Sequence, residues 1–147
     1  MNSVYKIITY CTVSFTLSLL AFYLQSDFVN KFSDNLISLL TTLLTINIAS
    51  STLIAIKVSE IKAKTGYHFN NTRKNLKVSF YEQIILIAVA FVAVLIGDSS
   101  VLKCKINSDY FEIGVNSVLF YTFINYLDII KDIGKSLFDL LDFGEPK

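Results

Sequence analysis

The residues with chemistry to offer in this chain are hydroxyls, amides and charges rather than a nucleophile with its base. His68 is the only histidine, and no carboxylate or cysteine constellation surrounds it in the sequence. No glycine-rich phosphate loop and no HExxH, GxSxG or CxxC pattern occurs. Cys11 and Cys104 offer neither metal-ligand spacing nor a disulfide framework. The expectation is a protein that is not an enzyme and needs no metal and no cofactor.

The hydroxyls are patterned. Ser38, Thr41, Thr45 and Thr52 recur at spacings of three, four and seven, which places them near one face of a helix. In a membrane such a stripe has two uses. Its hydroxyls bond the carbonyl one turn back and let helices approach closely, or they line a wet path where water completes their hydrogen bonds. Asn47 lies in the same run and cannot satisfy its amide on its own backbone so easily, so it should face a partner helix or water. Ser117, Tyr121, Asn125 and Asp128 form a second polar line ending on an ionisable group. Asp128 is either an interfacial carboxylate reaching toward headgroups or, if several subunits surround an axis, part of an acidic ring selecting cations. The pore-lining candidates are therefore Ser38, Thr41, Thr45, Asn47, Thr52, Asn125 and Asp128. Near the start of the chain, Thr9, Thr12 and Thr16 fall on one side of a helix and Ser14 with Ser18 on another, a packing signal.

A basic, aromatic segment follows the hydroxyl run. Lys62, Lys64, Arg73, Lys74 and Lys77 flank Tyr67, His68 and Phe69. Cations there could neutralise phosphates while the rings stack on unpaired bases, as in single-strand binding. The alternative is an ordinary basic cytoplasmic loop whose rings anchor in headgroups.

These groups need elements to hold them. Of 147 residues, 53% are hydrophobic and 17% charged, with mean hydropathy +0.55. A soluble domain this small needs a fuller polar coat. Apolar runs long enough to cross a hydrocarbon core of about 30 Å occur at 7–24, 36–58, 78–96 and 113–130. The first is longer than a signal-peptide core and lacks a small-residue cleavage site at Ala21-Phe22-Tyr23, so it reads as a retained helix. The fold class expected is all-α: one polytopic domain over 1–147, with four transmembrane helices and an amphipathic cytoplasmic helical tail over 131–147. Leu127, Ile130, Ile133, Leu137, Leu140 and Leu141 carry the tail's apolar stripe, which should pack on a neighbouring helix or the protein's own inner face rather than on lipid because its polar face is acidic. Ser33 or Asp34 is expected to cap the second helix, Gly66 to stop it, and Asp109 with Glu112 to open the fourth.

Net charge is only +1, which excludes a strongly basic nucleic-acid binder by bulk charge. Assigned to loops, however, ten of the 13 basic residues fall on one side of a four-span protein. The excess of basic residues on the inner side then predicts a multi-pass inner-membrane protein with both termini cytoplasmic.

In its hydroxyl-rich run Asn35-Leu36-Ile37-Ser38-Leu39-Leu40-Thr41-Thr42-Leu43-Leu44-Thr45-Ile46-Asn47-Ile48-Ala49-Ser50, the basic aromatic segment after it and its total size, the chain resembles the small multi-span effectors of bacterial anti-phage defence operons, in particular the Hailong-type channel effector. The resemblance lies in general organisation and carries no residue roles. It implies an oligomeric ion channel that depolarises the inner membrane and is held closed by a nucleic-acid ligand made by a partner nucleotidyltransferase. The residues themselves support a polytopic helical protein with polar stripes suitable for an oligomeric axis, and the expectation drawn from them is a homo-oligomeric pore in the lipid bilayer, gated at the cytoplasmic side by a nucleic acid, nucleotide or partner protein. They equally allow a non-conducting scaffold or integral subunit that docks a cytoplasmic partner.

Overall fold

A computed structural model describes residues 3–24, 28–66, 70–105 and 107–142, with the side chains of residues 3, 65, 103–105, 141 and 142 outside the description. The described chain is all-α. It forms α1 (Ser3–Tyr23), α2 (Phe28–Thr65), α3 (Asn70–Gly97), the short α4 (Ser100–Lys105) and α5 (Ser108–Asp142). Four of these, all but α4, are long and apolar enough to cross a membrane. At about 1.5 Å rise per residue, the 38 residues of α2 and the 35 of α5 extend over 50 Å, well past a hydrocarbon core of about 30 Å. Nothing in either sequence stops them. The single proline lies beyond α5, and the helix runs through Gly134.

α5 is the centre of the bundle and packs on α1, α2 and α3, while α2 also packs on α3. Two apolar cores follow its length. The first joins Leu36 and Leu40 of α2, Ala90 and Ala93 of α3, and Leu119 and Tyr126 of α5. Phe32 extends it by stacking on Phe120 at 5.4 Å and meeting Phe123 edge-on at 5.3 Å. The second joins Ile54, Val58 and Ile61 to Ile133 and Leu140, with Leu76 and Leu137 against them. Beyond these cores the surface is apolar: Phe15 and Leu20 on α1, and Ile85, Phe91, Val92 and Leu95 on α3, are exposed. An exterior this apolar is consistent with insertion in a membrane.

The contacts set directions. Ser18 meets Ile113 and Lys6 meets Asp128, so α1 runs antiparallel to α5, whereas Leu36 to Leu40 and Ile54 to Ile61 pair with progressively later residues of α5, so α2 runs parallel to it. The start of α1, the end of α2, the start of α3 and the end of α5 therefore share one end of the bundle.

Several sequence expectations need correction. Helix α2 begins at Phe28, so Ser33 and Asp34 lie inside it and cap nothing. α5 is capped by Asn107: its Oδ1 accepts from the Asp109 N–H at 3.1 Å and its carbonyl accepts from the Phe111 N–H at 3.1 Å, so Asp109 stands inside the first turn. The segment 62–77 is mostly not a loop. Lys62 and Lys64 close the last turn of α2, while Arg73, Lys74 and Lys77 lie in the first turns of α3. Gly66 does stop α2, with φ of 70° and its N–H donated to the Lys62 carbonyl at 2.9 Å. The tail stripe packs on α2 through Ile133 and Leu140, but Leu127 is exposed and Leu141 lies outside the described side chains.

Candidate functional site

The outer face of α2. At about 100° per residue, Leu36, Leu40, Asn47, Ile54 and Val58 share one sector of α2, and Ser38, Thr42, Thr45 and Thr52 share the opposite one. The first set is buried against α5 and α3; the second, with Thr41 beside it, is exposed. The sequence grouping of Asn47 with Ser38, Thr41, Thr45 and Thr52 thus divides, because helical position separates them. On the outer face each threonine hydroxyl donates to the carbonyl four residues earlier: Thr41 to Ile37 at 2.8 Å, Thr42 to Ser38 at 2.9 Å, Thr45 to Thr41 at 3.1 Å and Thr52 to Ile48 at 2.8 Å. Asn35 does the same to Lys31 at 2.8 Å. The face is polar at its rim yet internally satisfied. It bears two lone pairs per oxygen that water or another copy can use.

The groove between α2 and α3. Asn47 is 4% exposed and Gln83, from the inner face of α3, 1% exposed; Asn47 Nδ2 and Gln83 Nε2 have no hydrogen-bond partner. Both line a groove of about 520 Å³ whose other walls include Ile48, Ala55, Leu76, Phe80 and Ile133, with Arg73 and Lys77 also lining it. An unpartnered buried amide donor costs about 1–3 kcal/mol. Two such donors on residues lining one groove form the least satisfied polar site among the described residues. Lys62 and Lys64 complement the α2 C-terminus, but α3 opens without an acidic residue in its first turn and with Arg73, Lys74 and Lys77 close behind it. None of these three cations meets a carboxylate among the described residues. Tyr67, His68 and Phe69 lie outside the described residues.

The α1–α3–α5 cleft. Asn125 and Asp128 stand together in a second groove of about 360 Å³ with Lys6, Tyr10, Glu82, Tyr121 and Asp132. Lys6 Nζ forms an ion pair with Asp128 and lies 4.0 Å from Asp132, while also sitting 5.9 Å from the centre of the Tyr10 ring. Asn125 Nδ2 donates to the Tyr121 carbonyl at 2.9 Å. Within the protomer, the Asp128 charge is thus balanced by α1 rather than presented to an open mouth. Further along the same seam, the Ser18 hydroxyl donates to the Ile113 carbonyl at 2.8 Å and Ser14 is buried, whereas Thr9, Thr12 and Thr16 bond their own helix on its exposed side. Cys11 is exposed on α1. No group of three or more His, Cys, Asp or Glu side chains gathers at a metal-holding distance among the described residues.

Sequence reading passed over three groups that the structure makes central: Gln83, Lys6 and Tyr126. Each did leave a signal, since a polar or basic residue at the edge of an apolar run has to be answered by something across the bundle. Compared with family models, curated proteins and solved structures, the chain matches none.

Proposed function

We propose that this chain is one subunit of a homo-oligomeric membrane pore, with several copies placing the outer face of α2 around a shared axis. The observation that carries the proposal is the position of the polar stripe. Ser38, Thr41, Thr45 and Thr52 face away from the protomer's own core, on a surface otherwise built of exposed Leu, Ile, Val and Phe. A polar face turned outward in a membrane bundle is placed to meet other copies or water. One protomer of four helices encloses no such path alone. In this reading the end of the bundle bearing Lys62, Lys64, Arg73, Lys74 and Lys77 is cytoplasmic, in an inner membrane, and receives the gating ligand. The organisational resemblance to Hailong-type effectors makes depolarisation during anti-phage defence the role we propose for it. The protein performs no catalysis of its own in this account.

A non-conducting scaffold is the second reading, favoured by the back-bonded hydroxyls, which need no water to be satisfied. Planar-bilayer recording separates the two. Purified protein should conduct, and replacing Thr41, Thr42 and Thr45 together with valine, which keeps the branched shape and deletes three hydroxyls, should lower unitary conductance. A well-formed oligomer that never conducts, or whose conductance ignores the triple replacement, refutes the pore.

A further inference from the structure

We infer that the groove between α2 and α3 is a binding site for one acidic phospholipid, a reading independent of whether the protein conducts. Three observations converge on it. The groove presents two amide donors, Asn47 Nδ2 and Gln83 Nε2, that are more than nine-tenths buried and unpartnered, so its occupant must offer hydrogen-bond acceptors. Arg73 and Lys77, without a carboxylate partner among the described residues, line the same groove at the start of α3. The remaining wall is largely aliphatic and aromatic.

The groove thus calls for charge, acceptors and apolar surface together, with Arg73 and Lys77 near the start of α3, Gln83 further along it, Asn47 on α2, and Leu76, Phe80, Ala55 and Ile133 among the walls. Gln83 lies six residues beyond Lys77, about 9 Å along the axis at 1.5 Å per residue. A soluble anion the size of phosphate can meet the cations but cannot also span to the buried amides. A diacyl phospholipid does both: its phosphate sits between Arg73 and Lys77, its ester oxygens accept from Gln83 and Asn47, and its chains follow the apolar wall. Cations at the start of an apolar helix suit the membrane surface, where such lipids are supplied at high local concentration. A nucleic acid could use the same two cations, but the deeper wall offers a polyanion mainly apolar side chains and no further positive charge.

The test is native mass spectrometry of the full-length protein released from vesicles of equimolar phosphatidylglycerol and phosphatidylcholine. The wild type should retain phosphatidylglycerol in roughly tenfold or greater preference, as two nearby cations would give. The Arg73→Gln, Lys77→Gln pair should bring retention close to parity, whereas Lys131→Gln with Lys135→Gln, which removes equal charge from the exposed tail at the same end, should leave the preference intact. Gln83→Leu should lower retention several-fold at unchanged charge. Exchanging the cations, Arg73→Lys with Lys77→Arg, should preserve the preference and so controls for misfolding. Equal retention of the two lipids by the wild type, or an equal loss in the tail variant, overturns the site. Displacement of the lipid by glycerol phosphate reassigns it to a soluble phosphate, and displacement by a single-stranded oligonucleotide reassigns it to nucleic acid; either result overturns the lipid assignment.

Discussion

Helix α1 packs chiefly on α5, and one charged contact holds the end of that seam opposite Ser18. Replacing Asp128 with asparagine tests how much this contact matters. The Asp128 side chain is 15% exposed and that of Lys6 36%, so the pair lies between two measured regimes. Exposed pairs are worth about 0.2–1 kcal/mol, and removing one member of a fully buried pair costs about 3–5 kcal/mol. Partial burial of the acid and the wetter position of the lysine place the expected loss between the two regimes and nearer the lower, at about 1–2 kcal/mol. Asp132, 4.0 Å from Lys6 Nζ with its side chain 65% exposed, compensates only in part because solvent screens it. Thermal unfolding in detergent micelles, followed by tyrosine emission, measures the change. A cycle with Lys6→Gln isolates the coupling, which should be about 1 kcal/mol. A coupling below about 0.3 kcal/mol would mean that the two charges are independently solvated. Conversely, if Asp128→Asn left stability unchanged but abolished the cation selectivity of a conducting assembly, the carboxylate would belong to a pore mouth and the intramolecular pairing would be refuted.

Two further outcomes follow from local geometry. Tyr126 is fully buried and its hydroxyl donates to the Leu40 carbonyl at 2.9 Å, so Tyr126→Phe should keep the ring packing and cost about 0.5–1.5 kcal/mol in thermal unfolding, with an unchanged value denying the bond. Glycine-to-alanine changes should have opposite signs at two positions: Gly66, at φ of 70°, should lose about 1 kcal/mol, while Gly134, inside α5 with nothing within 4 Å of an added Cβ, should gain about 0.5–1 kcal/mol, and equal signs would refute the backbone assignment.

The four long helices were legible because a run of apolar residues long enough to cross a bilayer has no other stable form. Their ends were less so. Hydropathy alone bounds the apolar runs; Gly66 and the tail's apolar stripe point to helix beyond them, and the structure supplies the reason, as Ile61 joins Ile54 and Val58 against Ile133 and Leu140 across the bundle. Gly66 could be recognised as a stop from its residue type alone, since a left-handed backbone favours glycine. Ser33 and Asp34 misled for the converse reason: good capping residues are tolerated inside a helix whose surroundings favour extension, as Phe28 and Phe32 stacking at 5.8 Å illustrates.

Composition and spacing by themselves determined an all-α protein with four helices able to span a membrane, a hydroxyl stripe along the second of them, and a cluster of cations between the second and third apolar runs. They could not decide which way any face turns. Periodicity reports which residues share a helical sector, but only contact with α5 places the hydroxyl stripe outside and Asn47 inside. Nor could they pair groups distant in the chain. The packing of helices pairs Lys6 with Asp128 and Tyr126 with Leu40, and it brings the unpartnered amides of Asn47 and Gln83 to one groove, because a polar group in an apolar bundle is answered across space rather than along the sequence.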